Sequence, residues 1–125
     1  MATGTRGDRL REMSFQRSDC AIACALDVIG DKWTLLIVRD LFLGRSRYGQ
    51  FLNAGEGIPT NVLAHRLRRL AAAGLVERRV DPRPRSRYAY RLTRSGRRLG
   101  PVLAALLKWS RSQIPGTRVA RRSDR

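Results

Sequence analysis

The sequence has little of what enzymatic chemistry draws on. It holds two cysteines, one histidine and ten carboxylates in 125 residues. Two cysteines do not make a disulfide framework, and a lone histidine with so few acids offers neither a metal cluster nor an acid–base pair. The chain therefore reads as a non-enzyme, with no cofactor and no metal. Cys20, Cys24 and His65 would supply only three ligands, and His65 belongs to a different helix. No apolar run approaches the ~18 residues of a membrane span, and no helix pairs a basic face with an exposed apolar one, so no membrane partner is expected. The N-terminus is polar, with no signal-peptide core behind it. The expected location is cytoplasmic, at the nucleoid. At 42% hydrophobic and 29% charged, the chain has the composition of one soluble folded domain.

Positive charge is what the sequence has in excess. Twenty-six basic residues against ten acidic ones give a formal net charge of +16. It is unevenly spread: residues 1–74 carry a net +4 and residues 75–125 a net +12. A field this strong on a small domain favours an anionic polymer as partner, and nucleic acid before a membrane surface.

Residues 1–17 show no hydrophobic period and read as a flexible basic arm. A first helix is predicted from about Asp19 to Ile29, with Ser18 or Asp19 as cap and Gly30 as stop. On it Ile22, Leu26 and Ile29 share one side, and Cys20, Cys24 and Val28 fall roughly opposite. A helix apolar on two sides is covered on two sides, and the second cover is expected to be another subunit. Asp31 can cap a second helix, Lys32 to Leu43, with Trp33, Leu36, Ile37 and Leu41. A short third helix follows Ser46, and Thr60 is placed to cap a fourth, Asn61 to Ala73, closed by Gly74. Val80 and Leu92 end two short strands, the second alternating Tyr88, Tyr90, Leu92, and a Pro/Arg-rich loop joins them into a hairpin. Thr93 caps a last helix to about Ser112, with a kink or split expected at Gly100-Pro101. Trp33 and Trp109 read as core or dimer-interface anchors. Residues 114–125 read as a disordered basic tail, leaving 18–113 as the domain.

Three helices followed by a hairpin with a basic tip is the plan of a winged helix-turn-helix: mainly α with a small β-hairpin, here dimerising through its first and last helices. The fourth helix carries the argument. Leu63, Leu67 and Leu70 fall on one side and must face the core. Asn61, His65 and Arg68 lie opposite, with Thr60 at the start, Arg66 and Arg69 on the flanks, and no carboxylate. Arginine can pair bidentately with guanine and asparagine with adenine in the major groove. At the hairpin tip Arg83, Arg85 and Arg87 alternate with Pro82 and Pro84, a stiff projection suited to phosphates or a minor groove. The competing reading is that such a basic face is simply solvated.

Several stretches resemble the HxlR-type transcriptional regulators: Cys20-Ala-Ile, Gly30-Asp-Lys-Trp33, Ile58-Pro-Thr-Asn-Val-Leu-Ala-His-Arg-Leu-Arg-Arg-Leu70, Ala73-Gly-Leu-Val-Glu-Arg-Arg79 and Tyr90-Arg-Leu-Thr-Arg-Ser-Gly96. The resemblance runs from about Asp19 to Trp109. It implies a homodimer joined through the first and last helices, with paired recognition helices reading a roughly palindromic operator on double-stranded DNA. Two departures stand out. Glu56 sits between two glycines in the turn before the fourth helix, where it is expected to loosen the turn. Ala21 stands where many relatives have proline.

The resemblance also implies a role for Cys20, since some relatives use this cysteine as a redox or electrophile sensor. In the first helical turn, near Arg17, a thiolate is favoured, while Asp19 opposes it. Cys24, one turn on, is a candidate resolving thiol, although a bridge between subunits strains less than one within a helix. The alternative is that both are small buried hydrophobes. A redox or small-molecule effector is the further partner this reading admits. Two other functions compete with the sequence-specific regulator: a nonspecific architectural nucleic-acid-binding protein, and a small thiol enzyme. The last lacks a Cys-x-x-Cys and a base to activate a thiol.

Overall fold

A computed structural model of the chain describes residues 6–13, 18–82 and 88–122. Among the described residues, seven helices and one hairpin run in the order α1 (Arg6–Met13), α2 (Ala21–Ile29), α3 (Thr34–Phe42), α4 (Tyr48–Leu52), α5 (Thr60–Ala72), β1 (Val76–Val80), β2 (Tyr88–Leu92), α6 (Arg94–Arg97) and α7 (Gly100–Gln113). This is the winged helix-turn-helix plan read from the sequence. None of these helices is long and apolar enough to cross a membrane.

The core collects one side of each central element. Leu63, Leu67 and Leu70 of α5 are buried together with Ile37 and Val38 of α3, Phe51 of α4, and Leu75, Val76 and Leu92 at the root of the hairpin. These three leucines retain 3% or less of their surface, as their shared side of the helix requires. At the end of α5, Gly74 has φ 76°, and Leu75 N–H returns to Leu70 C=O at 3.0 Å, a left-handed stop that few residues other than glycine adopt freely. The chain thus turns directly into β1, which pairs antiparallel with β2 from Val76↔Leu92 to Val80↔Tyr88. Phe51 meets Tyr90 edge-on at 6.2 Å, and Tyr90 N–H bonds Ser46 C=O, so the hairpin root is held against α4. Past Val76 every residue of β1 is exposed, because the hairpin projects beyond the body.

Asp31 caps α3 by accepting from the N–H groups of Trp33 (2.8 Å) and Thr34 (2.9 Å). Thr93 caps α6, its hydroxyl oxygen accepting from Gly96 N–H at 3.1 Å. The last helix splits before Pro101, which takes the first turn of α7, where its missing N–H costs nothing.

Several boundaries differ from the sequence reading. The helix expected from Lys32 begins at Thr34, with Trp33 in its N-cap position, because residues 32 and 33 form a turn before it. Residues 1–17 are not all arm, for α1 lies among them and Leu10 packs on the core, a contact that no hydrophobic period announces. The helix expected from Asp19 begins at Ala21 with Cys20 as its cap residue, and Ser18 Oγ accepts Cys20 N–H at 3.0 Å. Thr60 is the first helical residue of α5 and not its cap; that place falls to Pro59, whose extended backbone sets the entry. Among the described residues beyond Gln113 there is no helix or strand, yet residues 117–120 lie along a cavity with α3 and α7, so these four are placed against the body.

One close approach fixes a residue type. A methyl group added to Gly96 would stand 2.0 Å from Leu75 C=O, a backbone atom at the joint of α5 and β1. Gly96→Ala is expected to lower unfolding stability by about 1–3 kcal/mol, the range of a forced backbone shift in a core. Urea unfolding checks it, and a midpoint equal to the parent's would contradict the close approach.

Candidate nucleic-acid interface

The outer side of α5 is built by subtraction. With the leucines turned inward, Thr60, Asn61, His65 and Arg68 remain exposed, spaced as one outward stripe. Among the described residues, the side chains of Asn61 and Arg68 have no hydrogen-bond or ion-pair partner within the chain. His65 is also exposed, with Nδ1 2.7 Å from the Arg66 guanidinium. No carboxylate shares the stripe, so nothing there competes with phosphate or a base edge for the guanidinium.

The two flanking arginines behave differently. Arg66 Nε donates to Asp31 Oδ1 at 3.0 Å, and Arg69 donates to the Asp27 carbonyl at 2.8 Å. Arg66 thereby joins the capping residue of α3, and Arg69 reaches the last turn of α2. Both half-buried guanidiniums hold α5 to the two helices behind it, so of the residues assigned to this helix from sequence, Asn61, His65 and Arg68 form the free face with Thr60 at its edge. Arg83, Arg85 and Arg87, expected at the tip of the wing, lie outside the described residues.

Ionic joints fix the neighbours of α5 as well. The Arg39 guanidinium grips Glu56 through two bonds of 2.8 and 3.0 Å and also reaches Asp40 at 2.8 Å. Glu56 therefore pins the turn between α4 and α5 to α3, the opposite of the loosening expected from its polarity. The Arg39 bond holds the Glu56 carboxyl below the usual carboxylate range, while burial pushes that of Asp40 up despite its contacts with Arg39 and Arg45. Arg47 at the start of α4 pairs with the buried Asp81 at the end of β1, tying the wing to the short helix. Tyr48 OH donates to the Thr60 carbonyl, fixing α4 against the entry of α5. None of the joints between elements shows in the sequence, because each links residues 12 to 42 positions apart.

On the hairpin itself, Arg78, Arg79 and Arg91 are exposed, and Arg78 stacks over the Tyr88 ring at 4.1 Å. These arginines extend the basic surface below the tip. Sequence reasoning passed over them, although the Arg78-Arg79 pair in a strand with only one buried residue was a readable signal.

Comparison with known proteins agrees with this geometry. A family model described as HxlR-like helix-turn-helix matches residues 28–118. The chain belongs to the HxlR-like helix-turn-helix family. A regulator of the helix-turn-helix type from Synechocystis is 42% identical over 71% of this chain and 66% of its own length. The crystal structure of PA1607, assigned as a transcription factor, superposes with a TM-score of 0.74 at 39% identity, covering 83% of this chain and 73% of that one. The oxidised form of the redox regulator HypR superposes with a TM-score of 0.69 at 32% identity, covering 75% of this chain and 97% of that one. The chain spans 60–66% of the length of the first curated relatives it matches.

The Asp31 joint makes a pH prediction. Burial alone would raise its pKa, but the bonds from the Thr34 hydroxyl, the Trp33 and Thr34 amides and the Arg66 guanidinium outweigh it and lower it from 3.8 to about 2. A carboxylate whose folded pKa lies below its unfolded value stabilises fully above the unfolded value and loses that contribution as pH falls through the folded one. Asp31→Asn is therefore expected to be less stable than the parent at pH 7. The difference should shrink between about pH 4 and pH 2, followed by urea midpoints across the series. A gap independent of pH would mean the carboxylate charge contributes nothing.

Proposed function

We propose that the chain is a homodimeric, sequence-specific DNA-binding transcriptional regulator in which α5 enters the major groove. The unpartnered Asn61 and Arg68, set on a helix held in place by Leu63, Leu67 and Leu70, carry this reading. Both side chains suit bidentate pairing with bases, and both are exposed on a side where no other part of the described chain stands. Arg66 and Arg69 act here as positioning residues, since their guanidiniums are committed to Asp31 and Asp27. The exposed hairpin arginines, with Arg83, Arg85 and Arg87, supply phosphate contacts.

A second copy is the partner best suited to the apolar surface left uncovered. Ile22 is 72% exposed, Leu26 55% and Trp109 60%, and Val102, Leu106 and Leu107 are exposed beside them in the sequence of α7. Surface of this kind on the first and last long helices supports a subunit contact through them. Leu106→Glu is expected to raise the monomer fraction in sedimentation velocity without loss of helix content; an unchanged dimer would remove these helices from the contact.

Two substitutions separate base readout from positioning. Arg68→Ala should lower affinity for a selected operator about tenfold or more, with little change on random duplex, as expected for the loss of one bidentate base contact. Arg66→Ala should weaken binding to both and lower thermal stability. Footprints of Arg68→Ala that match the parent would reject α5 as the reading element. Equal affinity of the parent for operator and random duplex would favour the architectural reading instead.

Cys20 is the candidate redox-responsive thiol. It is exposed at the cap of α2, whereas Cys24 is half-buried and its Sγ is engaged by the Arg11 guanidinium at 2.6 Å and the Ser18 carbonyl at 3.3 Å. Its likeness to HypR supports the assignment. Diamide should change the DNA affinity of the parent and not of Cys20→Ser; matching responses would end it.

A further inference from the structure

Behind the DNA-facing side, a cavity of about 340 Å³ opens between α1, α2 and the α6–α7 junction. That is within the usual size range of small-ligand sites. Its walls are apolar, formed by Leu10, Val28, Ile29 and Leu99. Its polar side chains are few: Arg11 and Arg98 bring two guanidiniums, Ser95 and Cys24 a hydroxyl and a thiol, and among the described residues no carboxylate lines it. Arg11 is bonded to Cys24 and Ser18. Among the described residues, the Arg98 guanidinium and the Ser95 hydroxyl have no partner. A guanidinium and a hydroxyl without partners at an apolar recess are complementary to a ligand with an apolar body and an anionic end.

We propose that this cavity is a binding site for a small carboxylate with an apolar body, for which benzoate serves as the probe. The apolar body packs against Val28, Ile29 and Leu99, and the carboxylate accepts from Arg98 and Ser95. The site borders the surface proposed for dimerisation. On α2, Cys24 and Val28 face it from the side away from Ile22 and Leu26, while Ile29 lines it at the edge nearest them. Leu75 also lines the cavity and joins α5 to β1, its carbonyl accepting Thr93 N–H at 3.0 Å. A ligand there touches the joint that sets α5 against the wing. The inference stands without the DNA-binding reading, because its test is a binding measurement on the free protein.

The probe is sodium benzoate, titrated at fixed ionic strength while amide and methyl NMR shifts are recorded. Acetate supplies the charge without the ring, and benzyl alcohol the ring without the charge. Saturable benzoate shifts are expected at Ala25, Val28, Leu75 and Leu99, with dissociation constants at or below about 1 mM. Acetate and benzyl alcohol should bind at least about tenfold more weakly, the scale of one lost charge-assisted contact. Arg98→Gln, a change at an exposed position, should weaken benzoate by a similar factor while leaving the spectrum of the free protein otherwise intact. Equal responses to acetate and benzoate, shifts spread over α5 and the hairpin, or unaltered affinity in Arg98→Gln would overturn the proposal. So would the absence of saturable shifts with benzoate, salicylate and indole-3-acetate alike.

Discussion

Burial of the Leu63–Leu67–Leu70 row fixes the roll of α5 about its own axis, and the rest of the interface depends on that angle. A rotation by one residue, about 100°, would expose leucine and drive Arg68 or His65 toward Ile37, Val38 and Phe51. An unpaired guanidinium has no place in such a core. The hydrophobic effect therefore orients the helix without making any contact on the side proposed to meet DNA. Asn61 and Arg68 are outward because the leucines are inward.

Roll alone leaves the tilt and height of the helix open, and ionic joints close these. Arg66 holds α5 to the cap of α3, and Arg69 holds it to the end of α2. The Arg39–Glu56 pair fixes the turn that feeds it, and the Arg47–Asp81 pair fixes the wing beside α4. Most of the acids placed in this part of the molecule are spent within it. The division gives a strongly cationic chain two populations of arginine: those neutralised inside the scaffold, and those left to form an outward field. Partly buried joints of this kind are screened less by salt than an exposed contact to phosphate. The scaffold can thus keep its shape at ionic strengths that weaken its surface contacts.

Much of the fold was legible in the sequence because its signals are local. The leucine spacing of α5, Gly74 at its end, Asp31 and Thr93 as caps, the alternation Tyr88, Tyr90, Leu92 and the proline that divides the last helix each act over a few residues. Less local features escaped. Among the described side chains of residues 6–13, Leu10 packs on the core and Arg11 bonds Cys24 and Ser18, contacts across the fold that no local period announces. Glu56 was misjudged for the same reason, since its partner Arg39 is 17 positions away.

Periodicity by itself decided which residues of the fourth helix face the core, that the outer face carries amide and guanidinium groups without acid, and that a basic hairpin follows. It could not decide which arginines are free. Arg66, Arg68 and Arg69 are nearly alike to any local rule, and only the arrival of Asp31 and the Asp27 carbonyl at their flanks separates two braces from one open hand. Ion pairing between distant segments exists only once the chain has closed, because a charge finds its counter-charge through space and not along the sequence.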